Sequence, residues 1–177
     1  APVLLMWVAD FARLRQLAQD NEAPLDGADY LESSYVGVID AALAAQNAVT
    51  AAESLGLGTV YIGAIRNHPE EVAAELSLPP HLFAVFGLVV GKPDPVAGSY
   101  IKPRLPQKAV LHHETYSLES QREHVAAYEE RIGAYYAEQH LEHSWTARVL
   151  ERLGTKASLN GRHRLRESLS TLGFPLH

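Results

Sequence analysis

Leu55-Gly56-Leu57-Gly58-Thr59-Val60-Tyr61-Ile62-Gly63-Ala64-Ile65-Arg66-Asn67 is the stretch on which the fold turns. A long apolar helix stops at Gly56, because glycine just past a helix end takes positive φ without a Cβ penalty. Thr59-Val60-Tyr61-Ile62 then reads as a short buried strand. Gly63 breaks it, marking a bend or a close approach to the backbone. Asn67, followed by Pro69 and Glu70, predicts a helix capped by Asn67 in a pattern close to the capping box. Strand, glycine and helix start are adjacent, so backbone N–H groups near Gly63 and Ala64 could donate to a flat heterocycle. The same pattern is also an ordinary βα turn.

Outward from this stretch, Tyr30 to Leu55 is apolar on nearly every face, and such a helix has to be buried all round. Two arrangements satisfy that: a helix at a subunit interface, or a core helix covered by its own chain. Gln46, Asn47 and Thr50 are its polar exceptions and read as hydrogen-bond partners across an interface rather than catalysts. Upstream, Pro2 to Val8 predicts a buried strand. It lacks a basic leading region and ends at Asp10, too short for a signal peptide or a membrane span. Phe11 to Asp20 predicts a short helix, and Pro24, Asp26 and Gly27 a turn-rich link.

Downstream, Glu70 to Leu78 predicts a helix closed by Pro79-Pro80, and Leu82 to Val90 an apolar strand interrupted by Gly87. Beyond Pro106 the character changes to charged amphipathic helices over Leu118 to Gln139, Ser144 to Leu153 and Arg162 to Leu172, with Gly173 as a stop. Tyr128, Tyr135 and Tyr136 lie beside the apolar stripe of the first and read as packing or interface residues.

Lys102-Pro103-Arg104 is the second informative segment. Proline fixes its own φ and keeps Lys102 extended, so two cations at i and i+2 leave the chain on one side. A lysine point charge beside a planar guanidinium suits a phosphate monoester, whose oxygens accept several charge-assisted hydrogen bonds. A solvated loop with two stray cations is the bland alternative.

Composition narrows the classes. A chain of 177 residues, 47% of them hydrophobic, is one domain's worth and can build a real core. A formal net charge of −6 with 21 acidic residues argues against a nucleic-acid binder, so a cationic site has to be local. The absence of cysteine removes disulfides, thiolate metal sites and cysteine nucleophiles. Nine histidines invite a metal, yet His112-His113-Glu114 falls in an expected strand, where neighbouring side chains face opposite ways. His140 and His143 are better spaced but have no evident third ligand. No metal site is expected. No Gly-x-Ser-x-Gly turn surrounds any serine, which speaks against a hydrolase. The basic run Arg162-His163-Arg164-Leu165-Arg166 reads equally well as a solvated helix face and as a place where Arg162 meets a substrate.

The string from Asp40 through Ile65, with Ala44-Ala45-Gln46-Asn47 and Ala51-Ala52-Glu53-Ser54-Leu55-Gly56-Leu57-Gly58, resembles the oxygen-insensitive NADPH nitroreductase and flavin reductase family. Lys102-Pro103-Arg104-Leu105-Pro106, Phe86-Gly87-Leu88-Val89-Val90-Gly91 and Leu111-His112-His113-Glu114-Thr115-Tyr116 resemble it too, so the likeness runs through essentially the whole chain. The resemblance implies an α+β, three-layer fold, an antiparallel-rich sheet flanked by helices in an interlocked homodimer. It implies one domain over 1–177, with a sheet and flavin-site core over 1–116 and a helical C-terminal extension over 117–177.

It also implies a cytoplasmic, non-membrane flavoprotein with FMN as cofactor and NADPH or NADH as co-substrate. By ping-pong hydride transfer such a protein reduces small-molecule electron acceptors: nitroaromatics, quinones or flavins. Tyr61, Ile62, Gly63 and Ala64 would line the flavin ring through their backbone, Lys102 and Arg104 would hold its phosphate, and Arg162 would face the substrate. Two departures stand out. The family's His-Arg-Ser-x-x-Arg type opening is missing, as in an N-terminally truncated member, so the alternative is an inactive dimerisation module without flavin. Ala137 to Ser144 is shorter than the family loop and lacks arginines expected at the NADPH phosphate, which leaves the choice of nicotinamide open.

Overall fold

The computed structural model describes residues 1–96 and 100–177. They divide into two compact units. One comprises residues 1–96 with 159–177, and of the other residues 100–158 are described.

The first unit is built on a three-stranded antiparallel sheet of order β1-β3-β2: β1 (Val3–Asp10), β2 (Gly58–Ile62) and β3 (Leu82–Gly91). Around it lie α1 (Ala12–Asp20), α2 (Leu31–Ser54), α3 (Pro69–Glu75) and, from the C-terminal segment, the last helix at Leu165–Thr171. The helix stop at Gly56 is as the sequence predicts. Gly56 has φ 75°, its N–H donates to the Glu53 carbonyl at 2.9 Å, and the Leu57 N–H donates to the Ala52 carbonyl at 3.0 Å, the paired bonds of a Schellman motif. The core gathers Ala9, Phe11, Ala41, Phe83, Val85 and Phe174. The Phe174 ring stands edge-on to Phe11 and Phe83, with centroids 5.5 and 5.1 Å apart, a favoured aromatic geometry.

Four expectations are corrected here. β1 and β2 are not buried strands: each pairs only with β3 among the described residues, so Val3, Leu4 and Leu5 of β1 and Val60 and Tyr61 of β2 are exposed. α2 is not enclosed by its own chain. Its own chain covers a small-residue stripe of Ser34, Ala41, Ala45, Val49 and Ala52, and leaves Tyr35 at 60%, Ile39 at 51% and Leu43 at 63% exposure. That disposes of a helix wholly enclosed by its own chain. Gly87 does not interrupt β3, which runs through it paired with Met6 and Ile62. The irregularity lies one step away, between Trp7 and Val8. Asn67 does not cap α3. It ends a 3-10 turn over Gly63–Asn67, and the residue before α3 is His68, which makes no side-chain cap bond, with Pro69 at the first helical position.

The second unit holds α4 (Gln107–Val110), α5 (Gln121–Ala137) and α6 (Trp145–Gly154). Tyr128 and Ile132 on α5 are its buried centre, and the Tyr128 ring meets Trp145 edge-on at 5.3 Å. Glu129 ties α5 to the start of α6 by accepting from the Thr146 backbone N–H and hydroxyl, each at 2.8 Å. Hydrogen bonds from Ser144 and Thr146 hold its carboxyl below the usual carboxylate range. His112-His113-Glu114 is not a strand. No neighbouring strand pairs with it among the described residues, Glu114 takes φ 62°, and the His112 ring turns onto Tyr116 at 4.7 Å. The helix expected over Arg162 to Leu172 begins as a 3-10 turn at Arg162–Arg164 and becomes α7 at Leu165–Thr171, in the first unit. Among the described residues no helix is long and apolar enough to cross a membrane.

Candidate functional site

In the first unit, β2 delivers Tyr61 and Ile62 directly into the Gly63–Asn67 turn. Tyr61 is exposed. Its ring packs edge-on against Phe86 at 5.3 Å and its hydroxyl lies 3.4 Å from Gln46 Oε1. That places Gln46 against β2 within the same chain. Among the described residues, a Cβ at Gly63 would meet Arg66 Nη2 at 3.5 Å, an ordinary contact. Ala64 is exposed and borders a cleft of about 610 Å³ whose lining mixes apolar Leu4, Met6 and Val72 with His68, Glu71 and Glu75. The turn is pinned from below, where the Arg66 guanidinium donates to the Val85 carbonyl of β3. The opening amides of a 3-10 turn, here those of Gly63 and Ala64, have no acceptor within the turn.

Arg162 is brought to the same turn by a contact invisible in the sequence. Gly161 has φ 89°, and a Cβ there would stand 2.5 Å from the Asn67 carbonyl oxygen, so the Asn160-Gly161-Arg162 segment lies directly on the end of the Gly63–Asn67 turn. The Arg162 Nε donates to the Leu159 carbonyl at 2.9 Å, and its Nη groups make no further bond among the described residues. Behind it, Glu70 of α3 is linked to α7: a hydrogen bond from Ser168 is the main reason its carboxyl is held below the ordinary range.

In the second unit, Lys102 and Arg104 are exposed on an irregular strap. The Lys102 Nζ donates to the Tyr136 hydroxyl at 2.8 Å and lies 5.1 Å from the centre of that ring. The Arg104 Nη1 donates to the Lys102 carbonyl at 3.0 Å. Tyr128 donates to the Pro103 carbonyl at 3.4 Å, and the Arg131 Nη2 to the Arg104 carbonyl at 2.7 Å. Sequence reading singles out Tyr128 and Tyr136 as packing or interface residues and passes over Arg131. The signal available to it was their spacing on α5, which puts all three on one side of the helix. Among the described residues no group of three or more His, Asp or Glu side chains is gathered as a metal site would need.

Residues 1–92 match the model of the nitroreductase family, and residues 102–177 match that of the nitroreductase family's C-terminal domain. The FMN reductase [NAD(P)H] of Bacillus subtilis (strain 168) is 44% identical over 137 residues, which are 76% of this chain and 54% of that protein. The chain therefore spans about half the length of this curated relative. Among solved structures, B. megaterium NfrA2 is 39% identical with a TM-score of 0.92, over 100% of this chain and 70% of that one. The NADPH:FMN oxidoreductase from Vibrio harveyi, solved in complex with NAD+, is 31% identical with a TM-score of 0.82, over 98% and 68%.

Proposed function

The chain belongs to the nitroreductase family, and from that premise we propose that it is an FMN-dependent NAD(P)H oxidoreductase of the cytoplasm, residues 1–177 forming one nitroreductase-like domain. The cofactor supplies the two-electron chemistry, taking hydride from NADPH or NADH and delivering it to a nitroaromatic, quinone or flavin in a separate half reaction.

Everything else falls to the chain. Tyr61, Ile62, Gly63 and Ala64 would line the ring through their backbone, a role supported by the exposure of Tyr61 and Ala64 where β2 enters the turn. Lys102 and Arg104 hold the phosphate, and Arg162 orients an anionic or nitro-bearing acceptor through its Nη groups. None of these residues needs to gain or lose a proton, so binding and orientation are the whole of their work.

A homodimer accounts for α2. Tyr35, Ile39 and Leu43 leave an apolar stripe in water, and exposed stripes of this kind mark interfaces.

The observation that carries the reading is the Lys102-Pro103-Arg104 strap, which presents an ammonium and a guanidinium two residues apart on a braced backbone. The test is a fluorescence titration with FMN and with riboflavin, which lacks the phosphate. FMN should bind at least about a hundredfold more tightly, the worth of two charge-assisted hydrogen bonds. Equal affinities would remove the phosphate site.

A further inference from the structure

We propose that Arg131, together with Tyr128 and Tyr136, forms a set of positioning residues on α5 that holds Lys102 and Arg104 in phosphate-binding geometry, an inference that rests on the reading of those two cations as the phosphate site.

A strap outside any helix or sheet has no ladder to order it, and its carbonyl oxygens compete with an anion for nearby cations. Here each of three successive carbonyls has its own donor. The Lys102 carbonyl is taken by Arg104 Nη1, the Pro103 carbonyl by the Tyr128 hydroxyl and the Arg104 carbonyl by Arg131 Nη2. All three carbonyls thus have a donor, and Arg104 supplies one of them itself, its Nη1 also lying 3.5 Å from the Pro103 carbonyl. An ammonium has three donors and a guanidinium five. One Lys102 donor is spent on Tyr136, which leaves two for phosphate oxygens.

The braces are themselves fixed. The Tyr136 ring stacks on His143 with centroids 4.1 Å apart at 24°, and stands edge-on to Tyr135 at 5.1 Å. Tyr128 is buried, 6% exposed, against Trp145. A ring held on both sides cannot follow Lys102, so Lys102 is held to the ring. Arg131 is exposed and commits a donor to the Arg104 carbonyl rather than to an anion. Its effect on phosphate therefore passes through the backbone of Arg104.

The test compares FMN and riboflavin affinities in Arg131→Met, Arg131→Lys, Tyr136→Phe and Arg104→Ala proteins. Arg131→Met should weaken FMN binding about tenfold, the order of one hydrogen bond to a charged donor, while riboflavin affinity and the unfolding midpoint stay put. Arg131→Lys, which keeps a donor, should recover part of the loss. In the Arg104→Ala background Arg131→Met should cost clearly less than tenfold, since coupled residues are not additive. Tyr136→Phe, which removes the acceptor but keeps the ring, should also act on FMN alone. An Arg131→Met protein with unchanged FMN affinity overturns the inference. So does a tenfold loss that persists in the Arg104→Ala background, which would make Arg131 a direct contact. If Lys102→Ala and Arg104→Ala leave FMN affinity unchanged, the phosphate site itself falls and the braces with it.

Discussion

Replacing Lys102 and Arg104 together by alanine is expected to weaken FMN binding roughly 10²- to 10⁴-fold, about 3–6 kcal/mol for two charge-assisted hydrogen bonds. Both side chains are exposed, so solvent screening favours the lower end of that range. The fold should survive. Neither side chain belongs to the buried centre of its unit, which is Tyr128 and Ile132, and the Tyr128 and Arg131 bonds to the strap go to carbonyls that an alanine keeps. Riboflavin affinity should not change, because the missing interaction is with phosphate. Titration of the double variant with both flavins, alongside its far-ultraviolet dichroism, checks all three statements. An equal loss for FMN and riboflavin would mean that the strap shapes the ring site or the fold instead.

Gly161→Ala should act in the opposite pattern, destabilising the protein and weakening FMN and riboflavin alike. At φ 89° and ψ −24° the residue sits where a Cβ is penalised, a cost of about 1–2 kcal/mol in left-handed backbone. Its Cβ would also stand 2.5 Å from the Asn67 carbonyl oxygen and 3.5 Å from its carbon. A backbone group cannot swing aside as a side chain can, so relief requires moving the end of the Gly63–Asn67 turn or the start of the Arg162–Arg164 turn. A total on the order of 3 kcal/mol follows, which lowers the unfolding midpoint by roughly 6–12 °C in a domain of this size. Because the shifted turn carries Gly63 and Ala64, the affinity loss should be shared by both flavins. A midpoint within about 1 °C of the parent, with flavin affinity intact, would contradict the tight apposition of the two turns.

What the sequence foretold was mostly local. The Gly56 stop depends on one backbone conformation and on bonds within five residues of it, so it could be read directly. Lys102 and Arg104 are exposed on their strap, and their role as a phosphate clip stays a proposal. The Asn67 cap was misread because the chain enters α3 through a 3-10 turn and His68, with the Asn67 backbone packed closely against Gly161.

The burial of β1 and β2 was misread because apolar strands look alike whether they are central or at an edge. Only the order β1-β3-β2 distinguishes them. His112-His113-Glu114 has a pattern compatible with a strand but no partner to pair with among the described residues, and Glu114 adopts positive φ. Tyr136 packs on His143 and Tyr135. Its hydroxyl, the end that receives Lys102, depends on how α5 meets the strap, which periodicity does not encode.

The most direct test of a working flavin reductase is the visible absorbance of the FMN-loaded protein before and after anaerobic addition of NADPH. A flavin band that bleaches on addition and returns with a quinone is the predicted result. A protein that stays colourless after incubation with FMN, or keeps its full flavin band under excess NADPH and NADH, would contradict it and favour a dimerisation module without redox function.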